Sequence, residues 1–148
     1  MIIEIFTLDK FDKESFNITS AFKKYGGKSD IKFSKLYNIF LTASSSYFKK
    51  VADEILLDSI VESYSIFKDS SLYSFKSSLI IDIWFKDSVT DIVGESVKLA
   101  IRDGGFKEPD CVRTAKRFYF FNFDKNAFDF IMEDYANELI HKVNVKRF

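Results

Sequence analysis

The sequence predicts an α+β domain built from two tandem β-α-β-α-β repeats with pseudo-twofold symmetry, antiparallel sheets and helices packed on one sheet face. Three observations predict it. First, the stretch from Ile31 to Thr42 lies over the stretch from Val112 to Phe123 at a constant offset of 81 residues (112 − 31), aligning Lys35 with Lys116 and Tyr37 with Phe118. Second, Ile2 to Phe6 lies over Ile80 to Trp84 at an offset of 78 (80 − 2), and each run leads into a helix-like segment closed by two glycines. Self-similarity of this length organises the reading of the whole chain. Third, Phe118-Tyr119-Phe120-Phe121-Asn122-Phe123 is aromatic at nearly every position, whereas a strand with one wet face alternates apolar and polar residues. This strand therefore expects cover on both faces, with Val112, Thr114, Phe118 and Phe120 on one side and Tyr119, Phe121 and Phe123 on the other.

In chain order, residues 1–67 form the first repeat. Ile2 to Phe6 reads as a short strand. Lys10 to Tyr25 places Phe11, Ile18, Ala21, Phe22 and Tyr25 on one side of a helix, and Gly26-Gly27 supplies the left-handed residue that commonly ends one. The long strand Ile31 to Thr42 follows. Ser44, Ser45 or Ser46 can cap a helix carrying Phe48, Val51, Ala52, Ile55 and Leu56, and Ile60 to Phe67 closes the repeat as a strand. Residues 68–78 are serine-rich and aperiodic, which reads as a linker. The second repeat, residues 79–148, runs strand Leu79 to Phe85, helix Asp91 to Asp103, strand Cys111 to Phe123, helix Lys125 to Asn137 and strand Leu139 to Lys146. Thr90 and Asp124 are the expected caps, and Pro109 sits in a turn where its missing amide proton costs nothing.

Composition narrows the function. The 148 residues suffice for one compact domain, burying roughly 68–70% of the surface of the unfolded chain. With 22 basic against 22 acidic residues, no positive surplus marks a phosphate-backbone footprint, so nucleic acid is not an expected partner. No apolar run reaches the roughly 20 residues that span a bilayer, and Met1 leads straight into a strand, so no membrane association and a cytoplasmic location are expected. One cysteine, Cys111, and one histidine, His141, cannot supply a four-ligand zinc site, and no metal site is expected.

At Phe85-Lys86-Asp87-Ser88-Val89-Thr90-Asp91-Ile92-Val93-Gly94 the sequence resembles the PurS family, the small subunit of phosphoribosylformylglycinamidine synthase. That family shows a strand, a Gly-Val-x-Asp-Pro-x-Gly turn into a helix, a Val-Arg-x-Gly-Lys strand, a second helix and a Leu-Ala-Asn-x-x-Ile close. Val89, Asp91 and Gly94 keep the first motif; Val112-Arg113-Thr114-Ala115-Lys116 keeps the second, with Ala115 in place of glycine; Tyr135-Ala136-Asn137-Glu138-Leu139-Ile140 is similar to the third. In the first half, Ile31 to Lys35 retains the strand and its lysine and Leu57 to Tyr64 looks like the closing motif, while Phe11 to Asn17 lacks the Val-x-Asp-x-x-Gly element. The whole also resembles the N-terminal PurS-like domain of the large single-chain synthase. The resemblance implies a non-catalytic component in de novo purine biosynthesis that bridges a synthetase (PurL-type) and a glutaminase (PurQ-type) and keeps the ammonia path closed to water. It also implies that ATP, Mg and glutamine are used by those partner subunits, and that this chain binds no cofactor itself. The rival class is a small-metabolite-binding regulatory module of ferredoxin-like type.

The candidate contacts for a partner or an anion are Lys35, Lys116, Arg113 and Asp91. Lys35 and Lys116 are equivalent under the repeat, so a symmetric pair could hold an anion; each also fits a lysine that discourages sheet aggregation. Asp91 equally fits a first-turn acid favoured by the helix dipole. Cys111 and His141 as nucleophile and base would need hydrogen-bond reach and an orienting third group; packing of the thiol is the simpler reading. The run from Lys116 to Phe123 has the aromatics of an RNA-recognition strand but carries Arg117 and Tyr119 where small residues belong. Finally, the second face is expected as Leu36, Asn38, Phe40 and Thr42 against Arg117, Tyr119, Phe121 and Phe123, the two halves covering each other as a dimer of unfused units would. The chain should then be a monomer imitating such a dimer: sedimentation equilibrium at micromolar concentration should return the single-chain mass of 17.2 kDa, and a mass near twice that would refute it.

Overall fold

In the computed structural model, which describes residues 1–148, the alternating runs become six strands: β1 (Ile2–Thr7), β2 (Ile31–Phe40), β3 (Glu62–Phe67), β4 (Leu79–Phe85), β5 (Cys111–Phe120) and β6 (His141–Arg147). Four α-helices connect them: α1 (Lys13–Lys24), α2 (Ser45–Val51), α3 (Ile92–Asp103) and α4 (Ala127–Asp134). All six strands belong to one antiparallel sheet ordered β3-β1-β2-β5-β4-β6. No helix is long and apolar enough to cross a membrane.

Local chemistry accounts for most boundaries and for the departures from expectation. The helix expected from Lys10 begins later, because a 3-10 turn at Asp9–Phe11 comes first and the Asp12 carboxylate then accepts from the Ser15 amide at 3.0 Å. Asp91, rather than Thr90, caps α3 by accepting from Gly94 N at 2.8 Å. Gly94 itself has no room for a side chain: a Cβ there would lie 2.1 Å from the Val112 carbonyl oxygen, so this glycine lets α3 approach the backbone of β5. Gly26 and Gly105 take positive φ, 105° and 87°, directly behind α1 and α3. The helix expected from Ser44–Ser46 to Leu56 divides into α2 and a π-helical turn, Ala52–Leu56. The long strand expected to reach Phe123 stops at Phe120, where both its neighbours also end, with Ile31 and Leu79 each opposite Phe120. Phe121 and Phe123 are consequently 39% and 48% exposed.

The pairing of β2 with β5 runs over ten residue pairs, from Ile31 opposite Phe120 to Phe40 opposite Cys111. Its odd-numbered positions on β2 share a face with even-numbered positions on β5, and the helices pack on that face. Two cores form there. Ile18 and Phe22 of α1 join Ala127, Phe130 and Ile131 of α4 over Phe33, Ile81, Phe118 and Phe120. Phe48 and Val51 of α2 join Ile101 of α3 over Ile3, Ile5, Ile39 and Val112. Each core thus takes one helix from each half of the chain, so neither half encloses a core by itself.

The second face departs from expectation. Because β2 and β5 lie edge to edge in one sheet, the residues expected to cover each other are neighbours in a plane and cannot do so. The segment 68–78, expected to be a bare linker, lies over part of this face instead. Phe75 packs edge-on against Tyr119 and Phe6, with ring centroids 5.2 and 4.9 Å apart. Beneath it is a buried polar network. Arg117 forks onto Asp82 (Nε to Oδ1 2.7 Å, Nη2 to Oδ2 2.8 Å) and donates to the carbonyls of Leu72 and Ser70, each at 2.8 Å. Glu4, with no exposed surface, accepts from the hydroxyls of Tyr119 at 2.6 Å, Ser34 at 2.5 Å and Ser74. Groups buried to this depth demand such partners, and removing one leaves another unsatisfied.

Phe120 is fully buried and touches Phe22 edge-on at 5.4 Å; Phe120→Ala should cost about 3–5 kcal/mol in urea unfolding, and a loss below about 1 kcal/mol would mean that its face is not core. Tyr119 gives a pH test. Burial first, then the charge and hydrogen bond of Glu4, push its phenol above the ordinary range. A folded pKa above the unfolded value of about 10 means the stabilisation is complete below that pH and lost as pH rises through the interval above it. Tyr119→Phe should cost about 1–3 kcal/mol at neutral pH by stripping Glu4 of a donor, while its stability should fall less steeply above pH 10 than that of the wild type. Fluorescence of the buried Trp84 reports both; equal alkaline slopes would contradict the assignment.

Candidate functional site

The two helix pairs, α1 with α4 and α2 with α3, leave a gap at the middle of the helix-bearing face, and the two lysines singled out by the repeat lie in it. In the β2–β5 register Lys35 is directly opposite Lys116. Residues related by the offset of 81 coincide in this register only where i + (i + 81) equals the pair sum of 151 (31 + 120), which is at i = 35. Both side chains are exposed, and neither takes part in an ion pair. Like charges directly opposite on neighbouring strands oppose pairing.

A cavity of about 480 Å³ opens over this pair. Phe33, Tyr37, Ile83 and Phe85 give it apolar walls, Glu14 at the start of α1 and Val93 at the start of α3 stand at its rim, and His141 closes one end. The strand alternation explains the grouping: Ile83 is opposite Lys116, and Phe85 is opposite His141 in the next ladder, so these residues share one face. His141 packs at a tilt against Phe85, 5.1 Å between ring centroids, and accepts from the backbone amide of Asn137 through Nδ1 at 2.9 Å. Burial, reinforced by the Lys116 charge, lowers the pKa of its imidazole from the usual value, which favours the neutral form.

The other two candidates lie elsewhere. Asp91, 3% exposed, is not available as a surface contact: besides capping α3, it accepts from the Thr114 amide at 2.6 Å and from the Thr114 hydroxyl. It bolts α3 to β5. Arg113 belongs to the opposite sheet face, where it donates to the carbonyls of Val89, Phe85 and Lys86 and shapes the loop after β4. It borders a hollow of about 570 Å³ whose charged side chains balance, Lys68, Arg113 and Lys142 against Asp69, Asp87 and Asp110. Cys111 is on that same face, so it and His141 are separated by the sheet. Of the aromatic run imitating an RNA-recognition strand, Phe118, Tyr119 and Phe120 are at 0% exposure and offer no ring for a base to stack on, and only Phe121 and Phe123, beyond the end of the strand, reach the surface.

The repeat marks Lys35 and Lys116, whereas nothing in the sequence marks Glu14, Tyr37 or Phe85, and His141 draws attention there only as a base for Cys111. Only register and helix placement bring those four together. Groups of three or more His, Cys, Asp or Glu positioned to hold a metal are absent. No protein-family model matches the chain, and no curated protein matches it at a significant level.

Proposed function

We propose that this chain is a PurS-like, non-catalytic component of phosphoribosylformylglycinamidine synthase, built from two tandem copies of the PurS-type unit and acting in de novo purine biosynthesis. The observation that carries the reading is the crossing of the repeat with the sheet register at Lys35 and Lys116. Exchanging β1, β2 and β3 for β4, β5 and β6 turns the strand order β3-β1-β2-β5-β4-β6 into its own reverse, as a dimer of β-α-β-α-β units fused head to tail would require. The shared cores, with α1 against α4 and α2 against α3, support the same relation. Three motifs of the second half stand in family order, at Val89 to Gly94, Val112 to Lys116 and Tyr135 to Ile140.

In this role the chain bridges a PurL-type synthetase and a PurQ-type glutaminase, whose active sites use ATP, Mg and glutamine. The reaction served is conversion of formylglycinamide ribonucleotide to its amidine with nitrogen from glutamine, and the bridge shields the ammonia path from water. A rigid two-layer body suits that work, because the partners are held at a fixed separation only if the bridge does not flex.

Adding the chain to the synthetase and glutaminase should form a complex recoverable by pull-down and raise glutamine-dependent turnover, leaving ammonia-dependent turnover unchanged. If the complex forms and glutamine-dependent turnover does not change, the bridging role is wrong. Saturable binding of an amino acid or nucleotide, with no protein partner engaged, would instead favour the stand-alone regulatory module of ferredoxin-like type.

A further inference from the structure

We propose that the groove over Lys35 and Lys116 binds a small organic anion, one carrying a phosphate or carboxylate group on an apolar body. The inference stands apart from the synthase reading, because it rests on the groove alone. Along the helix-bearing face, β2 and β5 pair Ile31 with Phe120, Phe33 with Phe118 and Ile39 with Val112. Lys35 opposite Lys116 interrupts this apolar row at its middle. The two Cβ atoms of such a pair lie only about 4.5–5.5 Å apart, and like charges at that spacing work against the ladder. Of the chain's 22 lysines and arginines only Lys23, Lys32, Arg102 and Arg117 form ion pairs; Lys35 and Lys116 are among the unpaired ones and differ from the rest in facing each other across a ladder. A local choice that opposes the fold, at a concave site, is the pattern expected of function rather than stability.

The charges around the site favour an anion. Lys35, Lys116, His141 and Glu14 line the groove, and an adjoining hollow that shares Glu14, Phe33 and Lys116 adds Lys13. With His141 neutral, three cations face one carboxylate. A single phosphate or carboxylate between Lys35 and Lys116 converts their repulsion into two charge-assisted contacts. Phe33, Tyr37, Ile83 and Phe85 would then pack against the rest of the molecule. The volume of about 480 Å³ falls within the roughly 300–1,000 Å³ of small-molecule sites.

The test uses the full chain labelled with 15N, titrated separately with phenyl phosphate, benzoate and inorganic phosphate. The control is a Lys35→Met, Lys116→Met double variant, which should melt cooperatively at a higher temperature than wild type once the repulsion is gone; Lys35→Gln and Lys116→Gln serve singly if it does not fold. At least one aromatic anion should move the amide resonances of Lys35, Phe85, Lys116 and His141 saturably, bind about tenfold tighter than inorganic phosphate (about 1.4 kcal/mol), and raise the melting temperature of the wild type. The variants should lose these effects. Whether phenyl phosphate or benzoate binds identifies the headgroup. Shifts that do not saturate, that map to other surfaces or that persist in the variants would overturn the site, and equal affinity for inorganic phosphate would overturn the apolar half of the ligand.

Discussion

Everything in this molecule depends on the ten-pair antiparallel ladder between β2 and β5. It is the one strand pairing that joins the two three-stranded halves of the sheet, and its register decides which helices meet. A shift of one residue between β2 and β5 would turn Val112, Phe118 and Phe120 away from the face that carries Phe33 and Ile39, and so disrupt both cores at once. The near-continuous apolar character of the C-terminal half of β5 is what such a strand requires, since it is central in the sheet and covered on each side.

Cover comes from different physics on the two faces. On one, helices bury aliphatic and aromatic side chains, which is non-directional and tolerant of small shifts. On the other, segment 68–78 lies over Glu4, Asp82, Arg117 and Tyr119 and completes their hydrogen bonds through Ser74 and the carbonyls of Ser70 and Leu72. Such a network is directional. Its members stabilise only when all partners are present, and a half-made version is worse than an apolar surface. The segment therefore acts as part of the fold, although its composition resembles a connector.

The lysine pair stands in contrast to that network. Buried charges here have ion-pair or hydrogen-bond partners, whereas the exposed Lys35 and Lys116 face each other across the ladder and form no ion pair. The same ladder that builds the cores creates this juxtaposition at its centre, so the strongest structural constraint and the clearest chemical anomaly share one register. The groove therefore lies where the two three-stranded halves of the sheet meet.

The sequence by itself determined the α+β class, the order of strands and helices, the self-similarity that aligns Lys35 with Lys116, and the glycines behind α1 and α3. These are legible because periodicity, capping and left-handed glycines are local, set by neighbours within a few residues. It did not disclose that segment 68–78 would seal the second face, that Asp91 would bond Thr114 from 23 residues away, or that Glu14, Tyr37, Phe85 and His141 would surround the lysine pair. It also led to facing halves where the sheet places them side by side, because a strand apolar on both faces looks the same whether its second cover is a sheet or a strap. Only the tertiary structure decided those points: strand order, register and the path of the covering segment are set by which long-range contacts satisfy all buried groups together, and no local pattern encodes that choice.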